Sequence, residues 1–347
     1  TDIYKSMIHT KIKMMIKNQI EEGMTMKMGI LGAGNIGGAM ARTIAGMDKV
    51  EAYAVGARDF ARAEAFAAQY HFTKAFGSYE EMLSDPELEL VYVATPHSHH
   101  YEHVKLCLEH GKHVLCEKAF TVNAKQALEL FEMAKSKNLL LTEAIWTRYM
   151  PMRKTLDEIA ASGVIGEITS LTANLGYVVG HLPRMQEPGL AGGALLDLGV
   201  YPINFASMVF GDKIREVSSS AVLTESKVDA VNSITLIYED GKMAQLHSNM
   251  MVATDRRGMI YGDKGYIEVQ NINNCEAIRV FDTNHKLIAE YETPKQITGY
   301  EYEVEACMEA MAKGELECPQ MPHKESIRIM ELMDSLRAQW GVKYPNE

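Results

Sequence analysis

Lys118 closes the run Cys116-Glu117-Lys118, where a short apolar stretch meets the turn Ala119-Phe-Thr121. An ammonium at such a point can stabilise a developing oxyanion or lower the pKa of a neighbouring acid; a simply solvated lysine is the commoner alternative. Asp197 and Tyr201 stand four residues apart in Leu195-Leu-Asp-Leu-Gly-Val-Tyr-Pro202, which puts both on one face of a helix. Asp197 lies among apolar neighbours, where an unpaired carboxylate is costly, so it needs a partner and Lys118 is the candidate. A phenol ionises near pH 10, and a nearby cation is expected to lower that value for Tyr201 and make it a proton carrier near neutral pH. A core tyrosine is the competing reading.

A second constellation is Gly32-Ala-Gly34-Asn35-Ile36-Gly37, preceded by Gly29-Ile-Leu31 and followed by small residues. It fits G-x-G-x-x-G between a strand and a helix, the dinucleotide fingerprint. Gly32 permits the tight turn, Gly34 lets backbone approach a pyrophosphate, and Gly37 lets helix and strand pack closely. The free N–H groups of the helix start then face the phosphates. An acid about 20 residues on marks NAD. Ala57 takes that place here and Arg58 follows; a guanidinium suits a 2′-phosphate, so NADP is expected. Asp59 leaves NAD possible through a one-residue offset.

The elements that position these groups alternate from Met26 to Ala144. Strands are expected at 27–31, 50–57, 90–95, 113–117 and 139–142. Helices are expected at 36–46, 60–70, 79–84, 101–110 and 123–137, with a turn at 75–78. This is a doubly wound parallel sheet, whose ligands bind beyond the carboxyl ends of the strands. Three such ends are polar: Thr95-Pro96-His97-Ser-His99-His100, Glu117-Lys118, and Glu143-Ala-Ile-Trp146-Thr-Arg148. One of the three histidines is expected to line the nicotinamide pocket and the others to be solvated. Their crowding on one loop, without a carboxylate or Cys at ligand spacing, points to no metal.

Beyond residue 150 the pattern changes. A helix at 152–162 and a long strand at 166–179 precede a helix at 194–210, which Pro202 should kink. Strands follow at 214–223, 231–238, 243–250, 258–261, 266–269, 277–281 and 287–291, joined by hairpin signals, and helices at 300–313 and 324–339 close the chain. The reading is α/β plus α+β. It comprises an extension at 1–25, a dinucleotide-binding Rossmann domain at 26–146, and a substrate and dimerisation domain at 147–347 built on a large, mostly antiparallel open sheet. The extension carries an apolar stripe at Met7, Met14, Met15 and Ile20.

The chain has 347 residues and a net charge of −11, which argues against a nucleic-acid partner. No apolar run is expected to reach a membrane helix. Five cysteines without a C-x-x-C pair argue against a disulfide framework or zinc knuckle, and suit a reducing cytoplasm.

On Gly32–Gly37, Ala94–His100, Cys116–Lys118 and Gly192–Pro202, the chain from about Lys27 onward resembles the Gfo/Idh/MocA oxidoreductases. Glu143–Tyr149 and Tyr201 are similar to the dihydrodiol and D-xylose dehydrogenase branch. The resemblance implies Lys118 and Tyr201 as the catalytic pair with Asp197 assisting, and NADP as cofactor. It implies Trp146 and Arg148 near the nicotinamide and substrate. It also implies a homodimer or homotetramer through the open face of the C-terminal sheet. The family's usual Glu-Lys-Pro is Glu-Lys-Ala here, with Ala119 in the proline's place. The activity expected is hydride transfer between nicotinamide and a secondary alcohol or carbonyl of a sugar, polyol or cyclic diol. A cofactor-sensing regulator and a redox-assisted glycosidase on the same scaffold are the alternatives.

Overall fold

The computed structural model describes residues 25–345 and 347. The stripe expected at Met7, Met14, Met15 and Ile20 lies outside the described residues.

Six apolar segments form the first sheet: β1 Met26–Leu31, β2 Val50–Gly56, β3 Lys74–Phe76, β4 Leu90–Val93, β5 His113–Glu117 and β6 Leu141–Ala144. Their order is β3-β2-β1-β4-β5-β6, and every pairing is parallel. Helices cover both faces of such a sheet, so its strands read as continuous apolar runs; β4, Leu-Val-Tyr-Val, is buried throughout. The strand order reverses between β1 and β4, which opens a crevice beyond their carboxyl ends. β3 was expected as a turn. Its three residues form an edge strand too short for any periodicity to appear.

Helix starts follow local chemistry. Asn123 Oδ1 accepts from the Gln126 N–H at 2.9 Å, and Gln126 Oε1 reaches back to the Val122 N–H at 3.4 Å, a capping box displaced by one residue.

The second sheet comprises β7 Ile168–Gly176, β8 Ile214–Leu223, β9 Asp229–Tyr238, β10 Met243–Asn249, β11 Gly258–Gly262, β12 Gly265–Gln270, β13 Ala277–Asp282 and β14 Leu287–Glu292. Its order is β14-β13-β12-β11-β7-β10-β9-β8, and only β7–β10 is parallel. In β7, Leu171, Ala173 and Leu175 are buried while Ser170, Thr172 and Asn174 are half-buried, the alternation of a sheet packed on one face.

The helix expected over 194–210 is two elements, a wide π turn at Leu195–Gly199 and an α-helix at Val200–Phe210. The irregularity therefore falls before Pro202 rather than at it. By length and composition, Pro188–Phe210 is also long and apolar enough to cross a membrane, contrary to expectation, but 78% of its apolar 18-residue window is buried inside the fold. Its apolarity serves packing.

The final helices, Glu301–Lys313 and His323–Trp340, return to the first sheet. Ser326 Oγ donates to Glu143 Oε2 at 2.7 Å, and His323 stacks on Phe131 with ring centroids 4.1 Å apart.

Candidate active site

Lys118 leaves β5 through a cis peptide to Ala119. Its ammonium crosses to the second half of the chain, where it donates to the Asp197 carbonyl at 2.8 Å and to Asp197 Oδ1 at 3.3 Å. The π turn makes that carbonyl available. Val200 N–H donates five residues back, to the Leu195 carbonyl. In that register the group due to meet the Asp197 carbonyl is position 202, and Pro202 has no N–H. The same ammonium lies 5.1 Å from the centre of the Tyr201 ring. The three residues therefore converge although 79 positions separate Lys118 from Asp197.

Two further groups crowd Asp197 Oδ1: Arg184 Nη1 at 2.9 Å and His97 Nε2 at 3.8 Å. Burial opposes ionisation of Asp197, but Lys118, Arg184 and His97 outweigh it and hold the carboxyl below its usual range. His97 is pushed down to about 3 by burial, which the attraction of Asp197 does not overcome. Arg184 was not found from the sequence. It comes from the short helix Pro183–Gln186, where no motif announces it.

Tyr201 corrects an expectation. Burial comes first, and Tyr300, Glu117 and Asp197 reinforce it, so the phenol is raised well above 10 rather than lowered by Lys118. Its hydroxyl has no hydrogen-bond partner among the described residues. Beneath it, Glu117 accepts from the Tyr92 hydroxyl and from the Lys118 N–H at 3.2 Å; burial pushes its carboxyl up to about 7. Glu303, also buried, leaves both carboxyl oxygens unpaired among the described residues.

Aromatic groups border the site. Trp146 stacks on Tyr300 with centroids 4.2 Å apart and donates from Nε1 to Asn273 Oδ1 at 3.1 Å. Asn273 Nδ2 in turn donates to the Tyr177 hydroxyl at 3.1 Å. Tyr177, Asn273 and Tyr300 were also missed, since they are ordinary residues at the ends of strands and a helix.

Arg148 does not reach this cleft. It donates to Asn204 Oδ1 at 2.6 Å, Ser207 Oγ at 3.0 Å and Glu325 Oε1 at 2.5 Å. A buried guanidinium needs such partners, and these lie in the interior. The histidine loop also differs from expectation. His100 is fully buried, with its ring nitrogens on the Ala119 carbonyl at 2.9 Å and the Thr95 carbonyl at 2.7 Å, so it ties the loop after β4 to the loop after β5. His99 stacks on His103, which faces Thr95 Oγ1 at 2.9 Å. Pro96 precedes the short 3₁₀ turn His97–His99. Neither His99 nor His100 is simply solvated. Among the described residues no group of three or more His, Cys, Asp or Glu is placed to hold a metal.

The glycine-rich turn fits a dinucleotide. Gly32 has φ +114°, and a Cβ at Gly37 would come within 2.5 Å of the Gly32 carbonyl. A Cβ at Gly34 would meet nothing within 4 Å, so open space lies where a pyrophosphate approaches. Helix Asn35–Ile44 begins there with no side-chain cap and no acid in its first turn, leaving its N–H groups, those of Asn35 and Ile36 first, to an anion. Arg58 is exposed at the end of β2. Asp59 caps the next helix, accepting from the Ala61 N–H at 3.0 Å, and Arg62 Nε donates to the Ala33 carbonyl at 3.1 Å.

This cradle on a doubly wound sheet, joined to a mostly antiparallel sheet, has the architecture of a dinucleotide-binding Rossmann domain with a second domain attached. Residues 26–145 match the model of the oxidoreductase family with an NAD-binding Rossmann fold, and residues 154–268 match the GFO/IDH/MocA C-terminal domain. The chain is 34% identical to trans-1,2-dihydrobenzene-1,2-diol dehydrogenase of Xenopus tropicalis, over 93% of this chain and 100% of that one. It is 34% identical to the Homo sapiens enzyme of the same name, over 93% and 99%. Among solved structures it resembles KijD10, a 3-ketoreductase from Actinomadura kijaniata in complex with NADP and TDP-benzene. That match has a TM-score of 0.82 and 25% identity, covering 90% of this chain and 97% of that one. The fold also matches an aldose-aldose oxidoreductase from Caulobacter crescentus, with a TM-score of 0.81 and 19% identity over 91% and 98%. The chain belongs to the Gfo/Idh/MocA oxidoreductase family.

Proposed function

We propose that the protein interconverts a secondary alcohol and a carbonyl on a cyclic diol or sugar, prefers NADP, and uses Lys118, Tyr201 and Asp197 for the proton. The single observation that carries this reading is the convergence of Lys118 on the Asp197 carbonyl, on Asp197 Oδ1 and on the face of Tyr201. Bound nicotinamide supplies the hydride exchange at carbon. In the reducing direction Tyr201, held protonated, donates to the carbonyl oxygen, and the ammonium of Lys118 stabilises the negative charge that develops there. The oxidising direction is the reverse of that step, so the hydroxyl proton passes to the Tyr201 phenolate, which burial makes the minor form. Asp197 holds the ammonium in place and balances its charge. Trp146 and Tyr300 wall the pocket and exclude water.

Arg58 and Arg62 support the NADP preference, because two guanidinium groups just beyond β2 suit a 2′-phosphate and Asp59 is spent on a helix cap. Gly34, Asn35 and Ile36 would hold the pyrophosphate. Thr95, Pro96, His97, Glu117 and Trp146 border the nicotinamide end, and His100 supports that wall from behind.

We also infer a dimer through the open face of the second sheet. Cross-strand register lines up Phe281, Tyr266, Tyr261, Ser170, Met243 and Ile237 on that face, an apolar row only half covered in one copy. A panel of aldoses, polyols and cyclic diols, followed at 340 nm with NADP and with NAD, tests the reading. Turnover favouring NADP, with that preference reduced in Arg58→Ala, supports it. Bound cofactor with no net oxidation or reduction of any member contradicts it.

A further inference from the structure

The network around Asp197 holds a second cation for which proton transfer at Lys118 and Tyr201 has no use. Arg184 Nη1 and Lys118 Nζ approach the same carboxylate oxygen, at 2.9 and 3.3 Å. Two cationic heads are thus held one oxygen apart at the reacting end of the cleft. A guanidinium carries five N–H donors in a rigid plane. Nη1 of Arg184 faces Asp197 Oδ1 and Met185 Sδ; among the described residues Nε and Nη2 have no partner. The Arg184 side chain is 45% exposed, against 14% for Lys118 and 10% for Asp197. Its unspent donor edge therefore stands at the rim, while its tip is anchored inside.

The residue is also held still. Gln186 Nε2 donates to the Gly180 carbonyl at 2.6 Å, the Gly193 N–H donates to the Met185 carbonyl at 3.0 Å, and Met185 is buried. A donor edge fixed in advance binds without paying to be ordered. The charge count agrees. Below pH about 7, where burial keeps Glu117 protonated and His97 neutral, Lys118 and Arg184 are two cations against the single carboxylate of Asp197, so the site offers net positive charge to oxygen lone pairs.

Building on the hydride-transfer reading above, we infer that Arg184 binds the substrate oxygen on the carbon next to the reacting one, and so selects vicinal dioxygen compounds over single alcohols. A substrate with oxygens on adjacent carbons meets both cationic heads, one at Lys118 and one at Arg184. A single alcohol meets only Lys118 and leaves the guanidinium edge to water.

The test compares kcat/KM for trans-cyclohexane-1,2-diol, cyclohexane-1,3-diol and cyclohexanol in the unsubstituted protein, Arg184→Met and Arg184→Lys, each saturated with NADP. Methionine keeps most of the stem and removes every donor. The unsubstituted protein is expected to prefer the 1,2-diol, and Arg184→Met to lower that preference roughly tenfold to a hundredfold, the range for a hydrogen bond to a charged group. The loss should fall mainly in KM, and Arg184→Lys should restore part of it, having one head without the fork. Equal losses on all three alcohols would mean that Arg184 acts only by holding Asp197, and would overturn the inference. An unaltered preference would overturn it too. Cofactor binding without turnover of any alcohol by the unsubstituted protein would overturn the hydride-transfer reading, and this assignment with it; turnover with an unchanged preference would overturn this assignment alone.

Discussion

Asp197 and Glu117 are both buried, and both touch Lys118, one at its ammonium and one at its backbone N–H. Their charges go opposite ways. Asp197 meets two cationic heads and stays ionised. Glu117 meets a phenol and an amide, and burial carries it up to about 7. Glu143, paired with the Ser326 hydroxyl and with Oε1 unpaired among the described residues, is likewise pushed up to about 7 by burial. The difference teaches that depth does not set the charge of a carboxyl in this molecule. What sets it is whether a fixed cation reaches the same oxygen, and at the cleft the fold supplies two.

Removing the cation should break the contrast most severely. In Lys118→Ala, turnover is expected to fall ~10²–10⁴-fold, the range for losing a positioned proton-transfer group, while NADPH binding persists. Steady-state rates beside a fluorescence titration of NADPH check this. Glu117→Gln sharpens the contrast with a smaller effect. The amide keeps an acceptor for Tyr92 or the Lys118 N–H but cannot ionise. As pH rises through about 7, Glu117 becomes an anion that opposes negative charge on the nearby phenol and on the reacting oxygen. Alcohol oxidation by the unsubstituted protein should therefore decline relative to Glu117→Gln across that range, by a few-fold, when kcat/KM is followed from pH 5.5 to 8.5.

The smallest effect concerns stability alone. Glu143 has a folded pKa of about 7 and an unfolded one of about 4.3, so the native state holds the proton more tightly. Its favourable contribution is complete below the unfolded value and is lost as pH rises to about 7. Above that, the buried anion costs on the order of 4 kcal/mol. Glu143→Gln should thus be more stable than the unsubstituted protein at pH 8 and gain little at pH 4.5, measured as unfolding midpoints at both values.

The parts legible in the sequence were those with local signals. The glycines of β1 and its helix announce themselves by spacing, and their backbone angles and close contacts follow from it. Lys118, Asp197 and Tyr201 were legible as chemical types at element ends, and the return of the chain brings them together. Arg148 looked equally promising at a strand end, yet helix His323–Trp340 supplies Glu325 and draws it inward; no feature near Arg148 carries that information. Tyr201 was read with its cation and without its burial, so the shift came out with the wrong sign. Arg184, Tyr177 and Tyr300 face the site only because distant loops fold over it.

The central claim is that Lys118 and Tyr201 act as one unit on one proton. Single-turnover hydride transfer at 340 nm in Lys118→Ala, Tyr201→Phe and the double variant, each loaded with cofactor, tests it most directly. The account predicts that the double variant is no more than about tenfold slower than the worse single variant, because groups acting together fail together. Losses that multiply, or a Tyr201→Phe variant at nearly full rate, would contradict it.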